Sequence, residues 1–142
     1  MGVGRSVVLR AGAHREVRRG AGGQRLEGID AGDFSGNSVS GAGDVNGDGF
    51  DDLIIGAFEA DPGGDSGAGE SYVVFGKSSG FPAAVDLSTL DGTDGLRLDG
   101  IDAGDGSGRW VSSAGDVNGD GFADMIIGAF EADPGGDSGA GE

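Results

Sequence analysis

The chain has 142 residues, no cysteine and a formal net charge of −16. That balance makes nucleic acid and anionic membrane surfaces poor partners, and the missing cysteines exclude a disulfide framework. The charge is unevenly divided, because residues 1–25 hold six arginines and one acid while residues 26–142 hold three basic and 24 acidic residues.

The basic arm, residues 1–25, is rich in Gly and Arg and has no apolar periodicity, so disorder is expected there. Its one apolar patch, Val7, Val8 and Leu9, is too short for a signal-peptide core or a membrane span. Two other readings stay open. One is a basic nucleic-acid-binding arm; the other makes residues 6–9 a strand, laid on residues 72–75, with the spacing to Leu26 six residues shorter than that from Phe75 to Leu98.

After the arm, a first strand is expected near residues 38–42. The nine-residue segment 44–52 follows it. Asp44, Asn46, Asp48 and Asp52 stand at positions 1, 3, 5 and 9, with Gly49 at position 6. Alternate oxygen-bearing side chains around a glycine turn can wrap one hard cation, and calcium takes six to eight oxygens in a flexible shell. The Phe50 carbonyl at position 7 would add a backbone oxygen. An EF-hand needs a bidentate acid at position 12 and a following helix. Position 12 is Ile55, within the apolar run Leu53, Ile54, Ile55, which reads as a strand over 52–57. A dockerin module fails on the same residues.

Glycine-rich turns follow, in which Asp61 and Asp65 read as turn residues and not as a second metal site. A third strand is expected at 71–75 and a fourth at 96–99, with residues 78–95 as a surface connection. Leu53–Ile55 and Tyr72–Phe75 are continuous apolar runs, the pattern of strands covered on both faces. A propeller blade meets that condition, whereas an immunoglobulin-like sandwich alternates more cleanly.

Residues 28–70 then recur as 100–142 with an offset of 72, identical at 37 of 43 positions. The changes are Phe34/Gly106, Asn37/Arg109, Ser38/Trp110, Gly41/Ser113, Asp51/Ala123 and Leu53/Met125. Fixed-period similarity of this kind signals a propeller, solenoid or array. The second loop repeats the donor set as Asp116, Asn118, Asp120, the Phe122 carbonyl and Asp124, with Gly121 at the turn. Its one change, Asp51 to Ala123, falls at position 8, which the loop geometry does not use.

The run 44–52, the strand ending in Gly56 and Ala57, and Tyr72–Phe75 followed by Gly76 together resemble an FG-GAP repeat. Phe75 and Gly76 match the Phe-Gly of that signature. Phe58 and Phe130 stand where it has proline. The resemblance implies an all-β, incomplete β-propeller with four-stranded antiparallel blades and a calcium loop between the first two strands. A basic arm (1–25) would precede a first blade (26–99), which begins with the end of an earlier one, and a truncated second blade (100–142). Seven such blades would need roughly 500 residues, so the chain is expected to be a fragment or to assemble from several copies.

Little points to catalysis. His14, the sole histidine, has no acid or nucleophile in a defined relation to it. Gly76, Lys77 and Ser78 are similar to the end of a phosphate-binding loop, but Ser71 occupies the place of its first glycine. The toxin-type calcium nonapeptide is not matched by residues 63–67, and cysteine-bonded thrombospondin repeats are excluded. Trp110 is expected to pack between blades. The expected function is therefore non-enzymatic: a calcium-binding adhesion or scaffold module, extracellular or on a cell surface, with two calcium ions. Its partners would be further blades or other copies of the chain, and an extracellular protein or glycan ligand. The alternative is an accessory propeller module of an extracellular hydrolase whose catalytic domain lies elsewhere.

Overall fold

The computed structural model describes residues 25–82, 84–136 and 139–142. The arm readings for residues 1–24, including His14 and the strand at 6–9, lie outside them. Eight strands follow in order: β1 (Arg25–Glu27), β2 (Ser38–Gly43), β3 (Asp52–Ala57), β4 (Glu70–Val74), β5 (Ala84–Asp86), β6 (Gly95–Asp99), β7 (Ser107–Gly115) and β8 (Asp124–Ala129). Three single turns of 3-10 helix complete the described elements, and no helix among them is long and apolar enough to cross a membrane.

The main sheet is antiparallel with strand order β2-β3-β4-β6. All four strands expected between 38 and 99 are present, each within one residue of the expected ends. Hairpin β2–β3 pairs Val39 with Ile55 and Gly41 with Leu53, and is interrupted by a bulge between Gly41 and Gly43. Hairpin β7–β8 repeats that register: Val111 faces Ile127, Ser113 faces Met125, and the bulge falls between Ser113 and Gly115. The described residues are thus all-β, and their two larger hairpin-built sheets are antiparallel, an architecture consistent with an incomplete propeller.

The continuous apolar runs are covered on both faces, as their pattern predicts. On one face Ile55, Tyr72, Val74 and Leu26 form a core with Leu87, against which Val85 and Leu90 pack. On the other, Ile54, Val73 and Ala42 meet Val111 of the second sheet, flanked by Met125 and Ile127. Side chains along a strand alternate between faces, so neighbours Ile54 and Ile55 bury into separate cores, at 0% and 1% exposure.

The segment 78–95 corrects the sequence reading. It is more than a surface connection, because Leu87 is buried and β5 pairs in parallel with β1, Leu26 opposite Val85. Its apolar residues are spread singly among polar ones, and a strand of three residues gives no periodic signal. Together β1, β5 and the turn Leu87–Thr89 cap the face of the main sheet that the second sheet does not reach.

The two repeats meet through backbone. Segment 100–107 runs along 66–69, with Gly100, Gly106 and Ser107 N–H groups donating to the carbonyls of Gly69, Gly67 and Ala68 at 2.7, 3.0 and 2.9 Å. A Cβ on Gly56 would strike the Gly108 carbonyl, so glycine is required where the sheets converge.

Candidate metal centre

Each candidate loop spans a hairpin, residues 44–52 between β2 and β3 and residues 116–124 between β7 and β8. In the first, the Asp44 carboxylate accepts backbone N–H bonds from Gly47, Asp48 and Gly49 at 2.8, 3.0 and 2.8 Å. Asn46 Oδ1 accepts from the Asp48 N–H, and Asp48 Oδ1 from the Phe50 N–H, both at 2.9 Å. The second loop repeats all five bonds. Asp116 accepts from Gly119, Asp120 and Gly121, Asn118 from Asp120, and Asp120 from Phe122, at 2.7 to 3.1 Å. The backbone therefore curls around the side-chain oxygens of positions 1, 3 and 5.

Two glycines allow that curl. Gly49 and Gly121 have φ of +87° and +92°, the left-handed conformation expected at position 6. Gly47 and Gly119, at position 4, share it at +77°. The sequence reading did not use this second glycine, although its presence in both loops was visible.

Asp52 differs from the other acids. It is fully buried, and its two oxygens accept N–H bonds from Val45 (2.9 Å) and Gly76 (2.7 Å). It thus ties the start of the loop to the turn after β4. Burial pushes its carboxyl above the ordinary range; the two N–H donors pull it back, and the charges of Asp48 and Asp44 add to the rise. Asp124 makes the matching bond to the Val117 N–H at 2.8 Å. Among the described residues, no three acidic, histidine or cysteine side chains form a group arranged to hold a metal. Each loop carries an all-oxygen set of candidate donors: Asp44, Asn46, Asp48 and the Phe50 carbonyl, then Asp116, Asn118, Asp120 and the Phe122 carbonyl. Each carboxylate offers about four lone-pair positions. Asp44 uses three for backbone N–H groups, and Asp48 uses two, one for the Phe50 N–H and one for the Asn46 side-chain amide. Donor chemistry and remaining capacity fit a hard divalent cation.

Asp61 is a turn residue, as expected. Its Oδ1 accepts from the Gly67 N–H at 2.7 Å, and Asp133 repeats the bond to Gly139. Phe58 stands second in a turn closed by the Ala60 N–H on the Ala57 carbonyl, and Phe130 in its copy. Proline is favoured at that position, so phenylalanine fills the same turn.

Trp110 departs from expectation. It is 59% exposed and packs edge-on against Phe130, with ring centroids 5.7 Å apart. The Arg109 guanidinium lies 4.7 Å from the Phe58 ring centre and 4.4 Å from that of Phe130. Phe34 also stacks on Phe58, with ring centroids 5.6 Å apart. Trp110 follows Arg109 on a strand whose next residue, Val111, takes the inward place, so the indole is left outside.

No curated protein matches this chain. The FG-GAP repeat, as a family, matches residues 35–74 and 107–142, which together exceed half of the chain. Both segments contain one candidate loop and the hairpin that carries it, and the chain belongs to the FG-GAP repeat family.

Proposed function

We propose that the chain is a non-enzymatic, calcium-binding module of a β-propeller in a secreted or cell-surface protein, serving adhesion or scaffolding. The observation that carries this reading is the duplicated loop: the same five backbone hydrogen bonds gather the same three side-chain oxygen groups on the same hairpin of each repeat. Family membership supports it, since FG-GAP repeats are typically non-catalytic propeller modules of extracellular and cell-surface proteins.

In this reading Asp44, Asn46, Asp48 and the Phe50 carbonyl hold one ion, with Asp52 behind them. Asp116, Asn118, Asp120 and the Phe122 carbonyl hold the second, with Asp124 behind them. Calcium, when bound, supplies positive charge that offsets three carboxylates per loop and fixes the hairpin between the first two strands of a blade. Two ions would cancel four of the 16 net negative charges. The main sheet, packed on both faces, is the first blade. The partners are further blades or other copies, and an extracellular protein or glycan that contacts exposed residues such as Trp110 and Phe34.

Calorimetric titration of the whole chain should give two calcium ions per chain, with dissociation constants on the order of 10⁻⁴–10⁻³ M and weaker magnesium binding. Asp44→Ala, Asp48→Ala, Asp116→Ala and Asp120→Ala together should abolish binding. Zero stoichiometry in the parent chain, or full binding by the fourfold variant, would remove the calcium reading.

A further inference from the structure

We infer that the two loops are coupled: Phe122 and Ala123 of the second loop form one wall of the first, so that filling either loop favours filling the other. This rests on the calcium reading above. It starts from a contact between the repeats rather than from the acidic clusters themselves. The Ala123 N–H donates to the backbone carbonyl of Asp44 at 2.9 Å. The Ala123 methyl closes on Gly43, where an added Cβ would lie 2.7 Å away. The Phe122 ring covers Gly47 so closely that any Cβ there would run into it. Gly43 and Gly47 both have left-handed φ, +74° and +77°, and they flank the first donor residue, Asp44.

One dipeptide therefore has two tasks. The Phe122 carbonyl is a candidate donor of the second loop, while the Phe122 ring and the Ala123 N–H brace the first. Ordering the second loop fixes the Phe122 peptide, and with it the brace on Asp44 and Gly47. The first loop then has less conformational freedom left to lose on binding, which is positive coupling through shared ordering. Thermodynamic linkage makes the effect reciprocal. The alanine is also explained. Position 8 of the first loop is Asp51, which is exposed. A carboxylate at position 123 would have to fit against Gly43, next to Asp44 in sequence, where the alanine methyl already closes on the backbone. Position 8 binds no ion, but in the second repeat it touches the neighbouring loop.

Repulsion between two bound cations opposes the coupling. Both loops are exposed, so salt screens that repulsion, while the packing contacts are indifferent to salt. The coupling should therefore strengthen as ionic strength rises.

The test is calcium calorimetry on the whole chain at low and high salt, alongside a chain whose second loop is disabled by Asp116→Ala and Asp120→Ala. Disabling the second loop should weaken calcium binding at the first by about fivefold, the low end of typical coupling. Amide hydrogen exchange gives a second readout. In the disabled chain, calcium in the first loop should slow exchange of the Ala123 N–H. If the disabled hairpin unfolds, the intact-loop variants Phe122→Ala and Phe122→Leu serve instead. The first should lose the steepness of the isotherm, and the second, which keeps an apolar contact over Gly47, should retain part of it. Unchanged first-loop affinity with unchanged Ala123 exchange overturns the coupling and leaves calcium binding standing, as does equal steepness in parent chain and Phe122→Ala. No binding by the parent chain removes both.

Discussion

At the residue scale, identical residues in the two repeats have different surroundings, which makes the repeats internal controls. A Cβ on Gly56 would strike the Gly108 carbonyl, whereas one on Gly128 would find only the Trp110 carbonyl at 3.8 Å, an ordinary contact. Gly56→Ala should therefore cost about 1–3 kcal/mol through overpacking. Gly128→Ala should be neutral or stabilising by about 0.5–1 kcal/mol, since alanine loses less chain entropy on folding. Chemical denaturation of the two variants checks this, and equal effects would contradict the close approach of the sheets. Tyr72 gives a second residue-scale prediction. It is the only tyrosine, is fully buried, and donates its hydroxyl to Glu70, which Arg97 also approaches at 3.4 Å. Burial pushes the phenol well above its ordinary value, and the hydrogen bond to Glu70 and its charge push it further. Below about pH 10 the hydroxyl is protonated in both states and its contribution is fully present. Above that, the unfolded chain ionises and the folded one does not, so stability falls by about 1.4 kcal/mol per pH unit. Tyr72→Phe should remove this alkaline loss while costing about 1–2 kcal/mol at neutral pH. An unchanged slope between pH 10 and 12 would show that the burial is not maintained in solution.

At the scale of elements, Asp52 is the residue that joins loop, hairpin and sheet. It accepts N–H bonds from Val45 and from Gly76, so it links the loop after β2 to the turn after β4. A Cβ on Gly76 would meet Phe50 Cβ at 2.9 Å and run into the Asp51 carbonyl, which explains the glycine after Phe75. Asp52→Ala should cost about 2–4 kcal/mol even with chelator present, because two N–H groups lose a charged acceptor. Asp124→Ala should cost roughly half as much, since Asp124 is only partly buried and accepts one close N–H bond. Thermal melts in chelator separate this bracket from any role in ion binding; if Asp52→Ala melts with the parent, the bracket contributes nothing. The sequence showed much of this level. Four strands and the loop positions follow from apolar runs and glycine placement, because those signals are local, whereas the bulges were not expected. It did not show β1, β5 or the buried Leu87, whose order comes from packing on a distant sheet. Nor did it show Asp52 turned to Gly76, 24 residues away, or the Phe122 ring on Gly47. Both depend on contacts between segments that no local pattern encodes. Trp110 failed for a related reason: the register that buries Val111 turns its neighbour outward.

At the scale of the whole molecule, the contact between the two sheets implies further contacts of the same kind. Ile54 is fully buried under Val111, whereas its counterpart Ile126 is 60% exposed on the far face of the second sheet. Val111 has a counterpart too. Val39 is 47% exposed and lines a groove with Leu26, Gly41 and Leu53. The chain thus leaves exposed Ile126 and Val39, the counterparts of residues that meet in the internal interface, and surfaces of that kind join head to tail. The edge of β8 adds a second route. Among the described residues only Ala129 is paired on the side away from β7, through two 2.8 Å backbone bonds with Glu142. Glu70 faces Ala57 in the same way at the start of β4, so the register for a third strand is already set, and open edges recruit chains. Net charge of −16 opposes association at low salt and is screened at high salt. We therefore expect the 142-residue chain to associate, and to do so more strongly as salt rises. Ile126→Lys places a charge on the exposed half of the interface, where the native fold has no need of isoleucine. It should shift the chain toward monomer while leaving the melting temperature close to that of the parent at matched low concentration. Ile54→Lys, at the buried counterpart, should unfold it. Light scattering coupled to size-exclusion chromatography, run at two salt concentrations, reads the result. A parent chain that is a monodisperse, cooperatively folded monomer at both salts would show that the exposed halves do not meet.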